Sequence, residues 1–177
     1  MQTALIAAAV TILGWYVTYA YARRRDDQTR RIEIRLKYQQ RQIEELYGPL
    51  LSLIEQIFNV WQVRQSILNS NDGHSSAEQQ DRIREFIYNE YFSPLHHEIA
   101  TILRTKLYLL EGGQMPSTFA LYLEHATREA CQHRLRNELH IETSGGTPWP
   151  QGFYEDVKIT LQRLLEEHQG GLDKLGS

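Results

Sequence analysis

The sequence predicts an all-α protein: an N-terminal single transmembrane helix followed by a cytoplasmic bundle of about four helices, two of them proline-kinked. Three observations predict it. Thr3 to Ala22 holds no charged residue and closes on Arg23-Arg24-Arg25, and about 20 apolar residues are what an α-helix needs to cross a bilayer. Apolar residues then recur at helical spacing along the rest of the chain. No stretch shows the period-two alternation of a half-buried strand.

The first stretch has three readings: an anchor, a cleaved signal peptide or a core helix. Ala20-Tyr21-Ala22 would suit a signal-peptide cleavage site, but only Met1 and Gln2 precede the run, where a basic region belongs. A core helix would carry a polar face, and this one has none. The anchor is therefore the expectation. Arg23, Arg24, Arg25, Arg30 and Arg31 follow the span and no Lys or Arg precedes it. That asymmetry places the N-terminus outside and the body in the cytoplasm, as in a bacterial-type inner membrane. Thr3, Ala7, Thr11, Gly14 and Thr18 form a stripe of small residues, a surface on which such helices approach one another closely. The stripe is expected to be an oligomer contact or, in a narrower version, a pore lining.

Residues 1–25 are thus read as anchor and basic stop, 26–31 as connector, 32–169 as bundle and 170–177 as flexible tail. In the first bundle helix, Leu36, Ile43, Leu50 and Ile57 recur every seven residues, and Leu46, Leu53, Val60 and Ile67 fill the second seam position after Gln39. This is a coiled-coil-like seam over about four heptads. Apolar neighbours at Tyr47, Leu51, Ile54, Phe58 and Trp61 widen the face, which favours packing inside a bundle. Gly48-Pro49 interrupts the helix, and a kink is expected near Tyr47.

Asn69 to Ser76 reads as a loop, with Ser75 or Ser76 as the next cap. The second helix buries Ile83, Ile87, Tyr91, Leu95, Ile99, Ile102, Leu103, Leu107 and Leu110, with a kink at Ser93-Pro94 and a stop at Gly112-Gly113. Ser117 or Thr118 caps the third, whose inner face is Phe119, Tyr122, Leu123, Ala126, Ala130 and His133. Trp149, between two prolines, is expected to plug the base of the bundle. The last helix turns Phe153, Val157, Leu161, Leu164 and Leu165 inward.

Charge and chemistry narrow the function classes. Net charge is −3 with both signs mixed throughout, unlike a nucleic-acid-binding domain. The single cysteine, Cys131, excludes an intramolecular disulfide framework and reads as a small buried residue. Phosphate-loop, nucleophile-elbow and zinc-protease motifs are missing. His96 and His97 are adjacent, so on a helix they diverge by about 100° and cannot share an ion. His125 or His133 would have to contribute, and no metal or other cofactor is expected.

Arg128 and His133 form an Arg-x4-His pair. In some helical ribonucleases an imidazole serves as acid or base while a guanidinium holds the phosphate, so these two are the candidate catalytic residues of a metal-independent ribonuclease. The alternative is a solvated helix face with one packed histidine.

A single span, a basic stop and a small helical body carrying Arg128 and His133 resemble the membrane accessory proteins encoded beside type VI CRISPR RNA-targeting nucleases. The resemblance covers the layout of the chain. It implies a nuclease-like bundle, membrane oligomers and phage defence by membrane perturbation, with the Thr stripe as the oligomer contact. Glu129 departs from it, because active nucleases carry an uncharged polar residue after the arginine.

The leading expectation is a non-enzymatic interaction or effector module. Its expected partners are the lipid bilayer, further copies of itself and an unidentified cytoplasmic protein; nucleic acid is not expected.

Overall fold

The computed structural model describes residues 2–70, 76–141, 143 and 148–176, with side chains from Leu13 onward. Six α-helices make four rods: α1 (Gln2–Gln42) runs into α2 (Gly48–Ser70), α3 (Ala77–Ile87) runs into α4 (Ser93–Thr105), and α5 (Ser117–Leu139) and α6 (Phe153–Gly176) stand alone. No strand occurs among the described residues. The all-helical class and the number of rods agree with the sequence reading.

Among the described residues no helix is long and apolar enough to cross a membrane. This overturns the expected single-pass topology, and with it the outside N-terminus and cytoplasmic body. The described stretch from Leu13 to Ala22 is followed at once by Arg23, Arg24 and Arg25 in the same helix. It also carries the polar tips of Trp15, Tyr16, Tyr19 and Tyr21. The side chains of Thr3, Ala7 and Thr11 lie outside the described residues. Gly14 has open space around it, and the Thr18 hydroxyl donates to the Gly14 carbonyl at 2.8 Å. That hydroxyl is therefore satisfied within its own helix.

The chain divides into two compact units. The smaller comprises Met1–Gln40 and Glu166–Ser177. The expected connector at 26–31 lies inside α1, and the expected tail from Gly170 continues α6 to Gly176. Gly171 packs against α1. A Cβ there would lie 2.6 Å from Leu36 Cδ2, so the glycine permits a contact that any larger residue would crowd. Gln39 Nε2 donates to Glu167 Oε2 at 2.8 Å one turn away, and both Leu36 and Gln39 are buried.

The larger unit, Arg41–Leu165, holds the core. Leu46, Leu50, Leu53, Ile54 and Ile57 from the first rod meet Ile87, Phe92, Ile99 and Leu103 from the second, Phe119 and Tyr122 from α5, and Phe153, Val157 and Leu164 from α6. The heptad seam is thus spent inside the chain's own bundle. Ile43 and Val60 are half-buried, and Ile67 is exposed.

Both proline kinks take the same form. A five-residue π-helical turn, Ile43–Tyr47, precedes Gly48-Pro49, and another, Tyr88–Phe92, precedes Ser93-Pro94. Proline cannot donate to the carbonyl four residues back, and its ring collides with that carbonyl. Widening the preceding turn relieves the collision: the Gly48 N–H reaches the Ile43 carbonyl, and the Ser93 N–H reaches that of Tyr88.

Smaller differences follow from local chemistry. Ser76 caps α3 in a reciprocal capping box with Gln79. Neither Ser117 nor Thr118 caps α5; its N-cap is Pro116, and the Thr118 hydroxyl donates to Asp156 Oδ2 at 2.6 Å. The second rod ends at Thr105 and continues as two 3-10 turns, Leu107–Leu109 and Glu111–Gly113. Gln42 Nε2 clamps the first of these through the Leu109 carbonyl at 2.7 Å. Cys131, Ala130 and Leu165, expected inside, are exposed. Trp149 packs against the core as a plug, 5.2 Å from the Phe58 ring and 5.7 Å from that of Tyr122.

Candidate functional site

The π turn at Tyr88–Phe92 determines which side chains of the second rod face inward. An unbroken α-helix continued from Ile87 would bury Tyr91 and Leu95. The extra residue of the wider turn advances the buried position by one, so Phe92 and His96 are buried instead. Tyr91 is turned to the surface, and Leu95 is half-buried. His97 is exposed, as its 100° offset from His96 requires.

On α5, His125 and Glu129 lie one turn apart and face His96. His96 is 7 % and His125 8 % exposed. Glu129 Oε2 lies 3.1 Å from His96 Nε2 and 3.7 Å from His125 Nε2. The nearer approach lacks hydrogen-bond alignment and the farther one is too long, so Oε2 is buried without a hydrogen-bond partner. His125 Nδ1 and the nearby Arg64 Nε are buried and unpartnered as well. On its other side, His96 Nδ1 lies 2.7 Å from the Tyr122 hydroxyl. Arg64 is held with its guanidinium 5.3 Å above the Phe92 ring. One atom from each of His96, His125 and Glu129 falls within 4.8 Å of the other two.

Burial and charge oppose each other here. Burial pushes the His125 imidazole toward its neutral form, and neighbouring His96 adds to this, while Glu129 and the Pro148 carbonyl work against it. Burial alone would raise the Glu129 carboxyl. The contact with His96, then the charges of His96, His125 and Arg64, outweigh that effect and hold it below its ordinary value. Burial pushes the Tyr122 phenol up, and Glu129 adds to the shift, so the hydroxyl keeps its proton. The arrangement is an anionic carboxylate facing two imidazole nitrogens.

A cavity of about 370 Å³ reaches this cluster from outside. Its lining includes His125, Arg128, Pro148 and Trp149, and the Trp149 ring lies 5.5 Å from that of His125.

A second concave feature is apolar. Val60, Val63 and Ile67 of α2 face Ile83, Phe86 and Tyr91 across a groove of about 580 Å³. Phe86 and Tyr91 meet edge-on at 6.3 Å and stand exposed. Arg82 lines this groove, and a neighbouring hollow that shares Asn59, Val60 and Tyr91 with it is lined by Glu90.

Arg128 and His133, the candidate catalytic pair, have separate surroundings on α5. Five positions on a helix separate two side chains by about 140°. Arg128 forms an exposed ion pair with Glu124 at 2.6 Å. His133 stacks on Tyr88 at 4.0 Å and lies 2.9 Å from Asn137 Nδ2. Burial pushes the His133 imidazole below its usual value. Burial, then Glu129, pushes the Tyr88 phenol up to about 12. Glu129, in sequence a departure from the nuclease pattern, is instead the residue on which the two buried histidines converge. The sequence argument named His125 or His133 as the partner His96 would need; the missing signal was the one-residue shift at the π turn.

Searches against protein-family models, characterised proteins and solved structures find no match to this chain.

Proposed function

We propose that the chain is a helical interaction module that self-associates as a two-fold pair through the α2–α3 groove. The observation that carries this reading is the exposed apolar groove on the α2–α3 hairpin, with Phe86 58 % and Val63 56 % exposed. Aromatic and aliphatic side chains gathered in one exposed groove are the composition of a contact surface's centre.

A second copy is the occupant that fits it. A two-fold interface must be self-complementary, with the projection and the recess on one patch. Phe86 and Tyr91 project beside a recess walled by Val60, Val63 and Ile67. Charges border the same patch: Arg82, paired with Glu78, lines the groove, and Glu90 lines the neighbouring hollow. Aromatic side chains at the centre of a patch, flanked by charges, are also the usual anchors of such contacts.

Sedimentation velocity tests the reading. The wild type is expected to form dimers in a concentration-dependent way. Phe86→Asp places a charge in the contact and is expected to leave a folded monomer. Ile159→Asp, an equally exposed site on α6, is expected to dimerise like the wild type. A wild type that stays monomeric at every concentration contradicts the proposal, as does a Phe86→Asp variant that dimerises normally.

A further inference from the structure

Two histidines converging on one carboxylate oxygen are an uneconomical way to build a core. A single buried His–Glu contact would satisfy one imidazole, and here the second leaves its Nδ1 buried without a hydrogen-bond partner. His125 Nε2 is 3.7 Å from the carboxylate, and its Nδ1 is buried and unpartnered. Buried polar atoms are normally satisfied, so an unpartnered imidazole beside an unpartnered carboxylate oxygen points to a ligand that would complete them.

The spacing and the donor types suit a small metal ion. Donors bound tetrahedrally to a metal at roughly 2.0–2.1 Å lie about 3.3 Å from one another. The two nitrogen–oxygen separations, 3.1 and 3.7 Å, fall either side of that value, and all three donor atoms lie within 4.8 Å of one another. We propose that His96, His125 and Glu129 form a binding site for a single divalent transition-metal ion of the zinc class.

Several features support the assignment. Two neutral imidazoles and one carboxylate are the donor set such ions take, and together they neutralise half of a divalent charge. His96 binds through Nε2 and uses Nδ1 to hold the Tyr122 hydroxyl, 2.7 Å away. Metal-bound histidines commonly make such an outer contact, which fixes their tautomer and orientation. His125 and Glu129 sit one turn apart on α5, so a single helix presets two of the three donors. The cavity bounded by Trp149 and Pro148 reaches His125 from outside, giving the ion a path in and leaving room for a fourth, exchangeable ligand. Arg128 also lines that cavity, paired with Glu124.

This inference is independent of dimer formation, because none of the three donors lines the α2–α3 groove. Its test is titration of the untagged, chelator-treated chain with Zn2+ by calorimetry, alongside Co2+ uptake followed by visible absorption. The wild type is expected to take up one ion per chain, with the absorption of a low-coordinate Co2+ site. His125→Ala and Glu129→Gln are expected to weaken binding by at least about 100-fold while retaining the helical circular dichroism of the wild type. Tyr122→Phe, which keeps all three donors, is expected to weaken it by about 10-fold, at the low end of losses for outer-shell partners. His97→Ala is expected to bind normally. Absence of stoichiometric uptake by the folded wild type overturns the proposal. So does an ion that both His125→Ala and Glu129→Gln retain, or one that His97→Ala loses.

Discussion

Single residues hold this fold through a few long-range polar contacts, and two of these yield predictions. Tyr122 is fully buried and its hydroxyl meets His96 Nδ1. Tyr122→Phe should lower stability by about 1–3 kcal/mol in denaturant melts, since it leaves a buried ring nitrogen unsatisfied. Glu45 gathers Arg41, Lys106 and Tyr108 at 2.9, 2.7 and 3.2 Å. The Arg41 hydrogen bond first, then those of Lys106 and Tyr108, lower its carboxyl from 4.5 to about 2. A carboxyl depressed in the folded state adds stability above its ordinary value, and that contribution fades as the pH falls from about 4.5 toward 2. An NMR titration should find the Glu45 midpoint near the lower value in the wild type. The midpoint should move upward in Lys106→Met and further in Arg41→Met. An unchanged midpoint in both would remove the three-way contact from the account.

At the scale of elements, the π turns are the decisive feature. Their positions were half legible: Gly48-Pro49 and Ser93-Pro94 announce kinks, and kinks are found. The sequence does not declare that the proline clash is relieved by inserting a residue rather than by bending alone, because that outcome depends on how the following helix packs. The error then propagates. Extrapolating a 3.6-residue period through Ser93-Pro94 buries Tyr91 and Leu95, whereas the fold buries Phe92 and His96. Both candidate sites were obscured in this way, since His96 belongs to the buried cluster and Tyr91 to the apolar groove. Glycines give the test at this scale. A Cβ at Gly48 would lie 2.7 Å from the Ile43 carbonyl oxygen, while one at Gly171 would meet only the Leu36 side chain. Gly48→Ala must move backbone and should destabilise by about 1–3 kcal/mol. Gly171→Ala moves a flexible leucine and gains helix propensity, up to about 1 kcal/mol, so its melt should stay within about 1 kcal/mol of the wild type. Equal losses at the two positions would contradict the claim that the Ile43 carbonyl leaves no room for a Cβ at Gly48.

For the whole molecule, the helical class and the core face of the first rod were legible because burial follows a strong period there: Leu46, Leu50, Leu53 and Ile57 are all inside. What that face packs against was not legible, since a heptad seam reads the same whether its partner is another chain or the chain's own helices. Here the seam is consumed internally, and the apolar surface left over lies at the α2–α3 hairpin. Self-association through that surface is the central claim. Hydrogen exchange measured at low and high protein concentration tests it most directly. The account predicts that slowed exchange at high concentration is confined to segments 59–67 and 82–91 and disappears in Phe86→Asp. Protection that is independent of concentration, or that appears on α5 or α6 instead, would contradict it.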